Sequence, residues 1–283
     1  MYALIRLEIK KIVSQKKSWM GLVAILIINA LFTLGFVMNN QKRGQETSKV
    51  ATDFLVSDFM NASFFTQTIL GPALFLIFPM LIAIIAAHTY AGEFEIGSIR
   101  MVLMRPVSRF QVLMSKFITV VLYSIIMLIL LGVLSYIIGT IFLNKSDNLI
   151  IPAIVYDIPQ KYGRIFEYVG WEGHKRIILS YLFSIPMLMS ISAMAIMFAS
   201  LTRHFTSAAI LTTTLYFSSY IVGIIPFLSS IHPYLPTTKW AAWKYVLIPE
   251  IPWDVVLNQL AWSGGYTAVF LGIASALFYM RDV

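Results

Sequence analysis

The sequence predicts an all-α integral membrane protein with six transmembrane helices, and three observations carry that expectation. Hydrophobic residues make up 59% of the 283 and charged residues only 12%, about half the charged share of a soluble domain. No Asp, Glu, Lys or Arg occurs in 18–41, 59–92, 117–144, 177–202, 204–238 or 255–280, and each window exceeds the roughly 20 residues a spanning helix needs. Runs such as Ile125 to Leu131 are continuously apolar rather than alternating. They read as helices and not as barrel strands, the other structure that satisfies its backbone in lipid. One transmembrane domain over 1–283 follows, with spans near 19–38, 69–90, 115–142, 177–200, 206–228 and 257–279.

Ahead of span one, Tyr2, Ile5, Ile9, Ile12 and Val13 fall at helical spacing while Arg6, Glu8, Lys10 and Lys17 fall elsewhere. This is the pattern of an amphipathic helix over 1–17, lying in the membrane interface; a basic flank without fixed structure is the plainer reading. Glu8 among the cations, with no small-residue cleavage pattern after the apolar run, argues against a signal peptide. Residues 39–68 are polar and of mixed charge, and are expected to be partly helical.

Between spans two and three lies a segment with six charges in 24 residues: Glu93, Glu95, Arg100, Arg105, Arg109 and Lys116. It must lie in water at one membrane face. Glu93 and Glu95 are expected at the N-terminal end of a short helix, where the macrodipole favours carboxylates. Gly97, Ser98 and Pro106 bound it, and Ile99, Val102 and Leu103 are its apolar members. It fits a docking surface for a soluble partner, in which charges fix register, and equally an ordinary loop with basic anchors.

Beyond span three, 144–176 carries Pro152, Pro159, Gly163, Gly170 and Gly173 with Tyr156, Tyr162, Tyr168 and Trp171, which predicts an irregular aromatic cap. In 229–256, Pro233, Pro236, Pro249 and Pro252 bracket Trp240, Trp243 and Tyr245. Two short broken helices are expected there, interfacial or re-entrant; an aromatic belt anchoring span six is the alternative. Asn61-Ala-Ser and Asn144-Lys-Ser match the glycosylation pattern, but matches this short carry no weight.

An even number of spans puts both termini on one side. The termini with the segments near 91–116 and 201–205 hold 11 Lys/Arg in about 50 residues, against 10 in about 85 residues of the other connections. The positive-inside rule makes the first set cytoplasmic. The formal charge of +8 reads as basic residues at helix ends, not as a nucleic-acid surface.

Several chemistries are excluded. Cysteine is absent, which removes thiolate metal sites, disulfides and thiol catalysis. The charge-free windows leave no ion-coupling residue inside the bilayer; His88, at the end of span two, reads as an interfacial hydrogen-bonding residue. His174, His204 and His232 are scattered. There is no phosphate loop and no nucleophile elbow. No catalytic residue, metal or cofactor is expected on this chain. A six-span protein without an energy source of its own is passive, structural, or driven from outside.

The segment Glu93-Phe-Glu95-Ile-Gly97-Ser98, then Arg105-Pro106-Val107-Ser108-Arg109 and Ser115-Lys116, resembles the cytoplasmic loop between spans two and three of ABC-2 type transporter permeases. It departs from that pattern at Phe94, where a basic residue is usual, at Ser98 for Thr and at Ser115 for Gly. Arg6-Leu-Glu8-Ile-Lys10-Lys11 before span one, the Ser200 to Arg203 turn, the broken hairpin before span six and Arg281-Asp282 extend the resemblance along the chain. The resemblance implies a non-catalytic permease subunit in the plasma membrane of a bacterial cell. Its partner would be an ABC ATPase subunit carrying ATP and Mg, and it would pair with a second copy or a paralogue. Residues 91–109 would be a coupling helix, with Glu93, Glu95, Gly97, Ser98, Arg100, Arg105, Pro106 and Arg109 at the ATPase. Arg6, Glu8, Lys10 and Lys11 would belong to an interfacial elbow. The implied function is export of an amphipathic substrate: a peptide, a lipid-like molecule or an antibiotic. The alternative is a scaffold or anchor, or a passive channel or secondary carrier, working without an ATPase.

Overall fold

A computed structural model describes residues 2–15, 18–43, 61–97, 107–143, 148–202 and 204–280. The helices are α1 (Tyr2–Ser14), α2 (Trp19–Arg43), α3 (Ala62–Pro72), α4 (Phe78–Ile96), α5 (Arg109–Phe142), α6 (Trp171–Leu201), α7 (Phe205–Ile224), α8 (Pro236–Lys239), α9 (Ala242–Tyr245) and α10 (Trp253–Met280). Six stretches among the described residues are long and apolar enough to cross a membrane: 19–38, 62–96, 109–142, 171–201, 205–224 and 253–280. The chain is a mostly helical protein of the multi-pass type.

Span two is α3 and α4 joined by a π-helical turn, Ala73–Ile77. Pro72 and Pro79 lack the N–H that a regular ladder would use, and the wider turn lies between them. Asn61 opens α3: its side-chain oxygen accepts the Phe64 N–H at 2.9 Å. Asn61 is also buried and donates to the Asn148 carbonyl, so that formal glycosylation match is a helix cap.

The helices pack around α4 and α6, the most enclosed pair. Along α6, Ser184, Ser190, Ser192, Ala193, Ala195 and Ala199 are buried, small residues of the kind that let helices approach closely in lipid. Hydrogen bonds tie the bundle across helices: Ser190 Oγ to the Ser263 carbonyl at 2.7 Å, Ser180 Oγ to Gln67 Oε1 at 2.8 Å, and Tyr181 OH to the Thr66 carbonyl at 3.0 Å. At Gly139 a Cβ would lie 2.8 Å from Ala62 Cα, so α3 and α5 touch backbone to backbone.

The connection after α5, expected as an irregular cap, adds one small two-stranded hairpin to the mostly helical fold. β1 (Leu149–Pro152) and β2 (Ile165–Tyr168) pair antiparallel, with Leu149 opposite Tyr168 and Pro152 opposite Ile165. Ile165-Phe166-Glu167-Tyr168 alternates exposed and buried, the period of a half-buried strand. The prolines and glycines around it disguise this as irregular chain. Tyr168 OH donates to the Leu247 carbonyl at 2.7 Å. The Arg176 guanidinium donates to the carbonyls of Val246, Ile248 and Pro249 at 3.0, 2.9 and 2.8 Å.

The segment before α10 is broken, as expected: short 3-10 turns at Pro226–Leu228 and His232–Tyr234, then α8 and α9. Trp240 and Trp243 are buried. Trp240 stacks on Tyr216 with ring centroids 6.2 Å apart, and the Ala241 N–H donates to Gln259 Oε1 at 3.1 Å. Protein thus shields the backbone around 240–248, whereas the two 3-10 turns before it carry exposed side chains such as Phe227 and Tyr234.

Candidate functional site

The charged segment between spans two and three is where the structure departs most from the sequence reading. Glu93 does not lead a short helix. It lies in the last turn of α4, where the macrodipole disfavours a carboxylate, and it is 4% exposed. Two ammonium groups offset the dipole. Lys11 of α1 donates to Glu93 Oε1, and Lys116 of α5 donates to Glu93 Oε2 at 2.6 Å.

Lys116 is fully buried, although the charge-free windows predicted no buried charge in the spans. Those windows stop at the residues in question: Glu93 and Lys116 flank them, and the helices run past both. The Lys116 ammonium also donates to the Thr89 carbonyl at 2.8 Å and to Glu8 Oε1 at 3.2 Å. An ammonium has three donors, and three acceptors meet them. Lys11, Glu93, Lys116 and Glu8 thus form an alternating chain of two cations and two anions.

Helical spacing arranges these partners. Thr89 and Glu93 stand four apart on α4, and Glu8 and Lys11 three apart on α1, so each pair shares a face. Ile12, one turn beyond Glu8, is buried and seats α1 against the bundle. Arg6 and Lys10 point outward and are exposed. A buried ion pair is sustained only when its remaining bonding positions are met. Here every Lys116 donor is used, while Glu8 Oε2 is buried without a hydrogen-bond partner. The buried Lys116 ammonium thus has no donor left for a substrate; what the cluster does is tie α1, α4 and α5 together.

The other expected residues separate into two groups. Gly97 ends α4 in the left-handed region at φ 77°, a conformation that glycine reaches without a Cβ penalty. Glu95 Oε2 accepts the Phe205 N–H at 3.0 Å, and its other oxygen lies 3.7 Å from His204 Nδ1. That carboxylate caps the start of α7, where the dipole favours it. Arg109 donates to the carbonyls of Phe278 and Tyr279 at 3.0 and 3.1 Å, closing the carboxyl end of α10. Ser98, Arg100, Arg105 and Pro106 lie outside the described residues, as does the middle of the helix expected over 91–109; its first six residues belong to α4.

Sequence reasoning missed three roles. Ser108 is the N-cap of α5: its Oγ accepts the Gln111 N–H at 3.2 Å, and Gln111 Oε1 accepts the Ser108 N–H at 3.3 Å. The Ser-x-x-Gln spacing was the signal for that capping box. The buried Lys116 had no comparable signal, because its partners lie 23 and 108 positions away. Tyr123 OH donates to the Ser18 carbonyl at 2.9 Å, tying the start of α2 to α5. His88 packs edge-on against the Phe205 ring with centroids 5.9 Å apart. Among the described residues, no three His, Asp or Glu side chains gather as a metal site.

Comparison with known proteins places the chain in a family. The family described as "Protein of unknown function (DUF2705)" matches residues 22–281. The chain belongs to the DUF2705 family. That match takes in the charged segment, span one from residue 22 onward and the other five spans whole. The DUF2705 chain is also similar to the uncharacterized protein YhcI of Bacillus subtilis (strain 168), 29% identical over 217 residues that cover 71% of this chain and 63% of the relative. The DUF2705 chain thus spans less than two thirds of that relative's length.

Proposed function

We propose that the chain is the membrane-spanning permease subunit of an ATP-driven exporter of the ABC-2 type. A separate ATPase subunit docks on the segment between α4 and α5 and drives export of an amphipathic substrate. The working unit holds two permeases, copies or paralogues, with both termini cytoplasmic. One observation carries this reading: the segment is anchored at both roots to helix ends all around the same face. Glu93 and Lys116 tie it to α1, Glu95 ties it to α7, and Arg109 ties it to α10. A push or pull on residues 98–106 is therefore not absorbed at the roots but passes to several spans together. A partner that holds the segment differently in two states shifts the bundle between two arrangements. The resemblance of the segment to the ABC-2 pattern supports the same reading.

The experiment is co-purification from the native cell in mild detergent, followed by hydrolysis measurements in nanodiscs. A nucleotide-hydrolysing subunit is expected with the wild-type chain and lost with the double reversal Arg100→Glu and Arg105→Glu. Transport by the purified chain alone in liposomes, without nucleotide, would establish a carrier and overturn the proposal. So would retention of the ATPase, with coupled hydrolysis, by the reversed variant.

A further inference from the structure

On the side away from the charged segment, α5 and α6 diverge around a groove of about 520 Å³. Its lining runs along α5 from Ile125 to Ile137 and along α6 from His174 to Ile185, with Thr66 of α3 behind. Twelve helical rises make it about 18 Å long. That is close to half of a hydrocarbon core about 30 Å thick. The deep end, at Ile125, stands at the midpoint of α5, and the shallow end nears the termini of both helices. The groove therefore follows the depth of a single leaflet.

The groove is built by specific residues. Gly132 on α5 has no side chain, and a Cβ there would lie 2.9 Å from the Tyr181 ring. Tyr181 lies across this gap and is held by its bond to the Thr66 carbonyl, which fixes the back wall. The front is lined by half-exposed aliphatics, Val133 at 51% and Ile178 at 58% exposure. Polar groups stand at the shallow end. Tyr136 OH lies 3.2 Å from His174 Nε2, and His174 Nδ1 lies 3.1 Å from the Gly170 carbonyl. That carbonyl can only accept, so Nδ1 carries a proton. The next residue, Lys175, is 56% exposed, with the Glu172 carboxylate 3.8 Å away. Trp171, 74% exposed, is the first residue of α6, three positions before His174, and tryptophan is enriched at membrane interfaces.

We infer that this groove holds an acyl chain of a phospholipid from the leaflet opposite the charged segment, with its phosphate toward Lys175 and the Tyr136–His174 pair. The length of one leaflet, the apolar lining and polar groups at one end only fit a lipid tail with its head in the interface. A side chain from a second copy would not need that polarity at the rim. The inference rests on the six helices spanning a membrane and not on the ATPase reading. Its failure would leave that reading untouched.

The test uses the full chain in nanodiscs containing a phospholipid with a diazirine near the end of its acyl chain. Adducts mapped by mass spectrometry are expected on Ile129, Val133, Ile178 or Leu182. They should exceed adducts on the exposed Leu211 of α7 and Val269 of α10 by about fivefold, a preference of about 1 kcal/mol. Val133→Trp, which fills the groove from a half-exposed position, should remove that excess; Ile178→Trp is the second variant should the first fail to fold. Equal labelling of α5, α6, α7 and α10 would mean ordinary boundary lipid and overturn the proposal, as would an excess that survives either folded variant. The chain has no cysteine, so Val133→Cys gives a single thiol. Efficient disulfide cross-linking of that variant between copies would show protein in the groove and also overturn it.

Discussion

Loss of the Lys116 side chain removes the ammonium that Glu8, Glu93 and the Thr89 carbonyl share. Replacing Lys116 by Met keeps most of the volume and removes the ammonium. Glu93 then loses one of its two ammonium contacts described above and keeps that to Lys11, and Glu8 loses its hydrogen-bond partner in the cluster. Breaking a buried ion pair from one side costs about 3–5 kcal/mol, because the remaining charge stays buried. Lys11 is partly exposed, its side chain at 43%, and can follow Glu93, which favours the lower end of that range. At about 2–4 °C per kcal/mol for a chain of this size, the melting temperature in detergent should fall by roughly 6–15 °C. The paired change Lys116→Met with Glu93→Leu removes both buried charges and leaves Lys11 and Glu8 three apart on α1, free to pair with each other. Replacing a buried pair by apolar groups is often neutral or stabilising, so the pair should recover most of the loss. Thermal unfolding followed by size exclusion measures both. The reasoning fails if Lys116→Met melts within about 2 °C of wild type, well below that range, or if the double variant is no better than the single one.

Other outcomes follow from the same contacts. Ser108→Ala should cost about 1 kcal/mol through the lost α5 cap, and Arg109→Ala should expose the carboxyl end of α10 to limited proteolysis while the rest of the fold stays intact. Gly139→Leu should destabilise by about 1–3 kcal/mol or more through overpacking, since its Cβ would meet the Ala62 backbone, whereas Gly35→Leu, with nothing within 4 Å, should change thermal stability little. Burial pushes the Tyr168 phenol up to about 12, with the Arg176 guanidinium pulling the other way. The neutral form is thus favoured in the fold, and its contribution is present below the unfolded value of about 10 and lost as pH rises from there toward 12. Tyr168→Phe should flatten that part of the stability–pH curve and remove one late-titrating phenolate from the absorbance titration.

The spans were legible because lipid tolerates few charges, and the gaps between charges outline helices well. Their ends were less so. Charge-free windows close at Glu93 and Lys116, but a helix ends where its cap is. The Gly97 left-handed residue and the Ser108 capping box lie beyond those charges, so α4 and α5 carry them into the bundle. The tie among Lys11, Glu93, Lys116 and Glu8 joins three separate segments, and no local pattern in any of them announces it. The broken segment before α10 was readable from its prolines. The β1–β2 hairpin was not, because four-residue strands hold too few alternations to stand out among turn residues.

The structure also divides the labour of the charged segment. Glu93, Glu95, Gly97 and Arg109, read from sequence as surface for a partner, are occupied in closing α4, α7 and α10 and in holding α1. Four of the eight expected docking residues are thus committed to the bundle, and the remaining cations of the segment, Arg100 and Arg105, fall between two fixed roots. This arrangement separates attachment from transmission. On the proposed reading a partner would grip the middle, and the ion pairs and carbonyl bonds at the ends would carry the load. The two functions are then separable by mutation. Reversing Arg100 and Arg105 should abolish partner binding without lowering the melting temperature, whereas Lys116→Met should lower the melting temperature and uncouple a partner that still binds. If both variants lost binding and stability together, the segment would be one structural unit, and the division drawn from Glu93 and Arg109 would be wrong.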